Sequence, residues 1–217
     1  MNRTRCFLAA SLLAMSFYPT AAFGASITTH ETEMDAVFSQ GALDIDIRFN
    51  APVTVVAPGT LLDIDNASEL SILFGLFAVP ANTVSMYFVD QINWCGFSAS
   101  FHGCAEVTGD DIIIASWAAA TGTGFGGELE AHELGHNFGL EHPDPPTGNL
   151  MDPTINGNST LTAAQIATIQ ANGAGIIQND IGGDFVSITP ILVTVPESST
   201  GLLLGLGLLG VAIRRRV

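Results

Sequence analysis

Apolar and polar residues follow regular spacings along the first half of the chain, and these spacings predict its secondary structure. Residues 43–49 alternate with a period of two, which predicts a half-buried strand. Residues 84–89 and 111–116 are mostly apolar and predict a second strand and a fully buried one. In residues 66–77, leucine and phenylalanine recur every three or four positions, which predicts a helix, the first along the chain.

Two further helices are predicted in the second half. A glycine-rich stretch at 122–127 leads into a helix predicted over 128–140. Another helix begins at Thr162, where Thr-x-x-Gln has the form of a capping box, and ends near residue 172. Residues 176–195 are predicted to be a terminal strand or spacer. Because strands mainly precede helices in this pattern, the sequence predicts an α+β fold.

The chain is strongly acidic, and its few basic residues lie at its ends. It has 217 residues, with 6 basic against 21 acidic side chains. Between residues 25 and 195 the only basic residue is Arg48, which faces twenty acidic residues and leaves a net charge of −19. Such a surface repels phosphate backbones and anionic lipids, which excludes nucleic-acid binding as a main function. Cations remain plausible partners.

Residues 1–24 have the three parts of a secretory signal peptide. A basic start with Arg3 and Arg5 is followed by an apolar run, and Ala22 and Gly24 supply the small residues of a cleavage site. The run is too short to cross a membrane as a helix. We therefore expect the mature chain to begin after Gly24 and to enter an oxidising compartment.

The C-terminal residues 196–217 form a short apolar segment, 201–213, followed by three arginines. This layout resembles the PEP-CTERM sorting signal of Gram-negative bacteria, although Ser198 stands where the motif has its second proline. The resemblance implies an exosortase-type sorting enzyme as partner, transient membrane association through this segment, and a final place outside the cell or on its surface. A simple C-terminal membrane anchor is the alternative, with the arginines on the cytoplasmic side.

Residues 25–195 are enough for one domain, and two cysteines remain in it. Cys95 and Cys104 lie in a loop that contains glycine and serine, whereas Cys6 belongs to the leader. An even pair in an exported chain predicts a disulfide, which would stabilise the fold by about 2–3 kcal/mol.

The segment from His132 to His142 is the one that predicts chemistry. On a helix, His132 and His136 lie on one face and can direct two imidazoles at one metal ion. Glu133 lies beside that face, where its carboxylate can reach a water at the metal. Gly139 can adopt the left-handed conformation that ends a helix, so that His142 returns as a third ligand. Three protein ligands leave the open position of a catalytic zinc. The alternative is a helix with unrelated surface histidines, which is disfavoured because three of the five histidines fall within eleven residues.

The same segment resembles the long zinc signature of the metzincin metallopeptidases. Residues 149–153 are similar to the methionine turn of that clan, which would make Met151 the floor beneath the histidines. The resemblance implies that residues 25–175 form a metzincin-like domain: a mixed twisted sheet, an active-site helix, and a C-terminal helix after the turn. Pro153 stands where some members carry a zinc-binding tyrosine, so the pattern is closest to the matrixin-like one.

The metzincin resemblance implies a secreted zinc endopeptidase that hydrolyses proteins or peptides, with Glu133 as general base and acid. The alternative is an exported surface or biofilm-matrix protein whose zinc site is structural or vestigial and supports no turnover. A structural calcium is a further candidate, without assigned sites, because several aspartates offer hard oxygen ligands. A solvated acidic surface is the favoured interpretation of these residues: Asp44, Asp46, Asp63, Asp65, Asp110 and Asp111.

Overall fold

The computed structural model describes residues 25–195, so the predicted leader and the predicted sorting segment lie outside the described residues. The helices are α1 (Glu31–Phe38), α2 (Ala67–Phe74), α3 (Ser116–Ala119), α4 (Thr123–Asn137) and α5 (Ala163–Asn172). The strands are β1 (Ile45–Phe49), β2 (Val53–Val56), β3 (Asp63–Ile64), β4 (Thr83–Val89), β5 (Gln91–Trp94), β6 (Ser98–Phe101), β7 (Gly103–Ala105), β8 (Asp111–Ala115), β9 (Ile177–Asp180) and β10 (Gly183–Thr194). Among residues 25–195, no helix is long and apolar enough to cross a membrane.

One seven-stranded sheet organises the domain. Its main path runs β1-β10-β4-β8-β7, and the first four of these strands are mutually parallel. β7 is antiparallel to β8 and forms the end of this path. β2 continues the parallel pairing along the second half of β10, and β9 pairs with its first half in the antiparallel direction. A second, small sheet contains β3, β5 and β6.

The last strand lies in the middle of the main sheet. β10 pairs with β1 and β2 on one side and with β4 on the other. Four of its side chains are fully buried: Val186, Ile188, Ile191 and Val193. The segment predicted as a terminal strand or spacer is thus part of the core. Strands and helices are interleaved along the chain rather than ordered in two blocks, because α1 precedes the first strand and β10 follows the last helix.

The first helix differs from the one that the sequence predicts. The prediction over 66–77 corresponds to α2, which is shorter, and α1 precedes it as an unpredicted helix. α1 has only eight residues with three buried side chains, Met34, Val37 and Phe38, too few for a clear helical period. It contacts β1 and α4 and closes one side of the core.

The helix that carries the zinc signature begins earlier than predicted. α4 starts at Thr123 and ends at Asn137, whereas the sequence predicts 128–140. Glycine at two of its positions lets the start of α1 approach closely: a Cβ at Gly126 would lie 2.7 Å from Cδ2 of His30, the residue before α1, and one at Gly127 would lie 2.9 Å from Cγ of Glu33. The glycine-rich stretch thus provides a helix–helix contact, not a linker. The predicted capping box of α5 is present: Thr162 and Gln165 bond each other's backbone N–H.

Candidate metal centre

Two histidines of α4 are buried and held in one orientation. His132 and His136 are 5% and 9% exposed. The Nδ1 atom of His132 lies 2.7 Å from the Leu150 carbonyl oxygen, and that of His136 lies 2.7 Å from the Leu140 carbonyl oxygen. Because a carbonyl only accepts hydrogen bonds, each Nδ1 carries the proton, which leaves a lone pair on each Nε2.

The turn after α4 brings the third histidine to this pair. Gly139 has a φ of 85°, the left-handed conformation that the sequence predicts for it. Nε2 of His142 lies 3.1 Å from Nε2 of His132 and 3.2 Å from Nε2 of His136. A proton on His142 could satisfy one of the two lone pairs but not both. A single cation satisfies all three nitrogens, so the ligand set fits a divalent metal that prefers imidazole, such as zinc.

Burial keeps these imidazoles in the neutral form that metal ligation needs. Removal from water lowers the pKa of both His132 and His136 to about 4, and it also lowers the pKa of His142. At neutral pH the three rings are therefore uncharged, and no proton has to be displaced from Nε2 of His132 or His136 before a metal binds.

Met151 packs against α4 at Gly135. It is fully buried, and a Cβ built on Gly135 would lie 2.6 Å from its sulfur. The turn is tied by the Met151 N–H, which donates to Oδ1 of Asn149 at 2.8 Å. Met151, the predicted floor residue, thus packs against the helix that carries His132 and His136, and glycine at 135 makes room for its sulfur.

Glu133 lies in the same cleft as the histidines. It is 5% exposed, and its carboxyl packs against the backbone of Gly103 in β7: a Cβ at Gly103 would lie 2.7 Å from Cγ and Cδ of Glu133. Desolvation raises the pKa of this carboxyl to about 8. A divalent cation among the histidines would favour the ionised form, because an adjacent positive charge stabilises a carboxylate.

A cleft of about 660 Å³ opens onto the histidines and Glu133. The predicted disulfide between Cys95 and Cys104 is confirmed, and both cysteines line the cleft. Much of the remaining wall is apolar: Phe97, Phe101, Val107, Phe125, Leu129 and Ile155. The cleft can therefore accept an apolar side chain next to a metal and a carboxyl group.

Two acidic residues that the sequence analysis does not single out organise the loop after His142. Asp152 accepts hydrogen bonds from the N–H groups of Thr147 and Gly148 at 2.9 and 2.8 Å. These bonds, mainly the one from Thr147, lower the pKa of the Asp152 carboxyl. Glu128 of α4 accepts the N–H groups of Asn156 and Gly157 at 3.0 and 2.8 Å. The sequence signal for them was their position, Glu128 at the start of the predicted helix with the histidines and Asp152 beside Met151.

A third acidic residue joins α1 to α4. Glu130 is fully buried, and its Oε2 accepts the backbone N–H of His30 at 2.9 Å, whereas its Oε1 has no hydrogen-bond partner. Desolvation raises its pKa to about 8, so the carboxyl is mostly protonated at neutral pH. Nε2 of His30 in turn lies 2.9 Å from the Ala119 carbonyl oxygen, at the end of α3. These contacts fix the start of α1 against α4, the helix that carries His132 and His136.

The aspartates considered for calcium do not form one group. Asp110 and Asp111 come together with Glu106, with one carboxylate oxygen of each within 4.8 Å of the others. Asp46 instead pairs with Nε of Arg48 at 2.6 Å, and Asp65 accepts a bond from Nδ2 of Asn93 at 2.8 Å. We assign no metal to the acidic group, because exposed carboxylates of this kind are common on acidic surfaces.

Comparison with known proteins identifies the C-terminal end of the chain. Residues 194–216 match the family model of the PEP-CTERM protein-sorting motif. The predicted sorting signal is thereby confirmed: the chain is an exported bacterial protein that an exosortase-type enzyme sorts to the cell surface. No curated protein and no solved structure matches the chain.

Proposed function

We propose that this exported protein is a zinc endopeptidase of the matrixin-like metzincin type. The observation that carries the proposal is the convergence of three imidazole Nε2 atoms at separations of 3.1 and 3.2 Å, two of which carry lone pairs at neutral pH. Glu133 lies beside them, and a structural site would have no need of an acid in that position and would usually close its fourth ligand position. These features support catalysis over a purely structural role.

The protein's own residues would act on a peptide in the cleft as follows. His132, His136 and His142 would hold the ion, and their carbonyl partners would keep the rings in place. Bound there, zinc would supply Lewis acidity toward the scissile carbonyl and toward the attacking water. Glu133 would take a proton from that water as the water oxygen adds to the carbonyl carbon. The same carboxyl would then give the proton to the amine nitrogen as the C–N bond breaks.

The cleft geometry supports a protein or peptide substrate. The phenylalanine-lined wall would exclude water around one apolar side chain, which strengthens the electrostatic contribution of Glu133. β7 contributes Gly103, whose missing side chain leaves room for the Glu133 carboxyl.

Cleavage of denatured casein by the exported protein tests the proposal. We expect 1,10-phenanthroline to abolish cleavage and added zinc to restore it, because the chelator competes with the three histidines for the metal. The isosteric variant Glu133→Gln should keep the metal and lose the activity by at least about a hundredfold. Bound zinc without cleavage of any protein or peptide would instead support the exported surface protein with a structural or vestigial site.

A further inference from the structure

A second cavity of about 600 Å³ adjoins the cleft that opens onto the three histidines, which we call the metal cleft. The cavity lies at the carboxyl ends of the parallel strands β4 and β8. Val89 of β4 and Ala115 of β8 are paired in register, so the residues that follow them, Asp90 and Ser116, are neighbours at this edge of the sheet. Both line the cavity. This edge is where parallel sheets usually place their ligand sites.

The cavity presents polar groups that lack partners of their own. Ser116 is only 5% exposed, and its hydroxyl has no hydrogen-bond partner. The Asp90 carboxyl is partly desolvated and lies near Asp63, which together raise its pKa. Arg48, the one basic residue among 25–195, is paired with Asp46 and Asp180. The described part of the chain therefore offers Asp90 neither lysine nor arginine.

The shape and walls of the cavity fit an organic cation better than a metal ion. Trp117 lines it and is half exposed, so its indole is accessible to a cation, which such a ring attracts. Asp90 is the only carboxylate in its lining, whereas a calcium ion takes six to eight oxygen ligands. A lysine or arginine side chain can place its charge at Asp90 and its methylene groups along Trp117.

The cavity is connected to the metal cleft through shared residues. Ser100 and Phe101 of β6 line both spaces. The Trp117 ring also contacts the ring of His102, which belongs to the cleft wall, at a centroid distance of 5.1 Å. A peptide in the cleft can therefore reach the cavity with one of its side chains.

We propose that the cavity around Asp90 binds a lysine or arginine side chain of the peptide that occupies the metal cleft. This inference rests on the proposed peptidase function and specifies its substrate class as peptides with a basic residue at a set distance from the scissile bond. The net charge of −19 on residues 25–195 also favours such substrates, because it attracts cationic peptides over long range.

Two series of acetylated, amidated decapeptides test the proposal. Each peptide carries one phenylalanine in an alanine–serine background, with a lysine moved through the other positions, and a matched series has norleucine in place of lysine. Affinity is measured on the zinc-loaded variant Glu133→Ala, so that binding does not depend on turnover. We expect one lysine position at which binding is about tenfold tighter than for norleucine, the gain typical of a charged hydrogen bond.

Two isosteric variants separate the cavity from the overall charge. Asp90→Asn should abolish the lysine preference. Asp184→Asn removes the same unit of charge from an exposed site and should preserve the preference. The register of β4 with β10 places Asp184 toward the opposite end of the parallel strands from Asp90.

Three results would overturn the proposal: equal binding of both series, no measurable binding of either, or a lysine preference that survives Asp90→Asn. Cleavage of the norleucine peptides by the wild-type protein reports the peptidase function separately. Lysine-selective binding without any cleavage would leave the cavity assignment standing and contradict the peptidase alone.

Discussion

Gly103→Ala should impair catalysis in a domain that still folds. A Cβ at this position would lie 2.7 Å from both Cγ and Cδ of Glu133, closer than side-chain atoms approach in folded proteins. The obstructing group is the end of a side chain and not backbone, so Glu133 rather than β7 will move. Glu133 is buried, which restricts the alternative positions that it can take.

The magnitude follows from these contacts. Overpacking a filled interior by one methyl group costs about 1–3 kcal/mol of the free energy of unfolding. A displacement of the general base by about 1 Å lowers kcat/KM by roughly a hundredfold. Zinc content should stay at the wild-type level, because the three atoms nearest to the added methyl group all belong to Glu133 and not to a histidine.

Gly124→Ala is the matched control. Gly124 lies in the first turn of α4, has no neighbour within 4 Å of an added Cβ, and is not in the left-handed region. Alanine should raise stability there by about 0.5–1 kcal/mol and leave cleavage unchanged. The assays are kcat/KM on a fluorogenic peptide, zinc content by mass spectrometry, and urea unfolding. Unchanged kcat/KM in Gly103→Ala would show that the position of the Glu133 carboxyl does not limit catalysis.

Three further predictions concern stability. The pKa of Glu130 is raised in the folded state, so its neutral form stabilises the fold at low pH and this contribution is lost as the pH rises toward about 8. Glu130→Gln should therefore reduce the slope of the free energy of unfolding against pH in that range, by up to about 1.4 kcal/mol per pH unit. An unchanged slope would show that burial does not raise the pKa of Glu130. Reduction of the Cys95–Cys104 disulfide should lower the free energy of unfolding by about 2–3 kcal/mol in urea titrations; no change would contradict its stabilising role. Thr162→Ala should lower the free energy of unfolding by about 1 kcal/mol, because it removes the cap of α5. Thr168→Ala in the same helix should leave the free energy of unfolding unchanged. An equal change of Tm in both variants would argue against the cap.

The convergence of the three histidines could be predicted from sequence because the segments that bring them together are local. Two ligands lie one helical turn apart on α4, and a glycine turn returns the third within six residues of the second. What the sequence did not show is the proton on each Nδ1, because the carbonyl partner of His132 comes from Leu150, eighteen positions away.

The missed parts of the fold depend on contacts between distant segments. β10 becomes a central strand only because β1 and β4, more than ninety residues earlier in the chain, pair with its two sides. Glycines 126 and 127 lie inside α4 and allow α1 to pack closely against it, whereas their residue type in isolation favours a turn. Likewise, Asp90 and Ser116 become neighbours only through the register of two strands.

The position of β10 also bears on sorting. This strand ends at Thr194, the residue at which the matched sorting motif begins. The segment that the sorting enzyme recognises therefore follows directly from the core of the sheet, with no spacer outside the motif. The folded domain and its sorting signal adjoin without an intervening linker.

Zinc content and peptide cleavage, measured on the same preparation of exported protein, test whether the three histidines and Glu133 form a catalytic zinc site. We expect one tightly bound zinc per chain in both the wild-type protein and Glu133→Ala, with cleavage only in the wild type. Cleavage that persists in Glu133→Ala, or a wild-type protein that holds zinc and cleaves no member of a broad peptide library, would contradict this expectation.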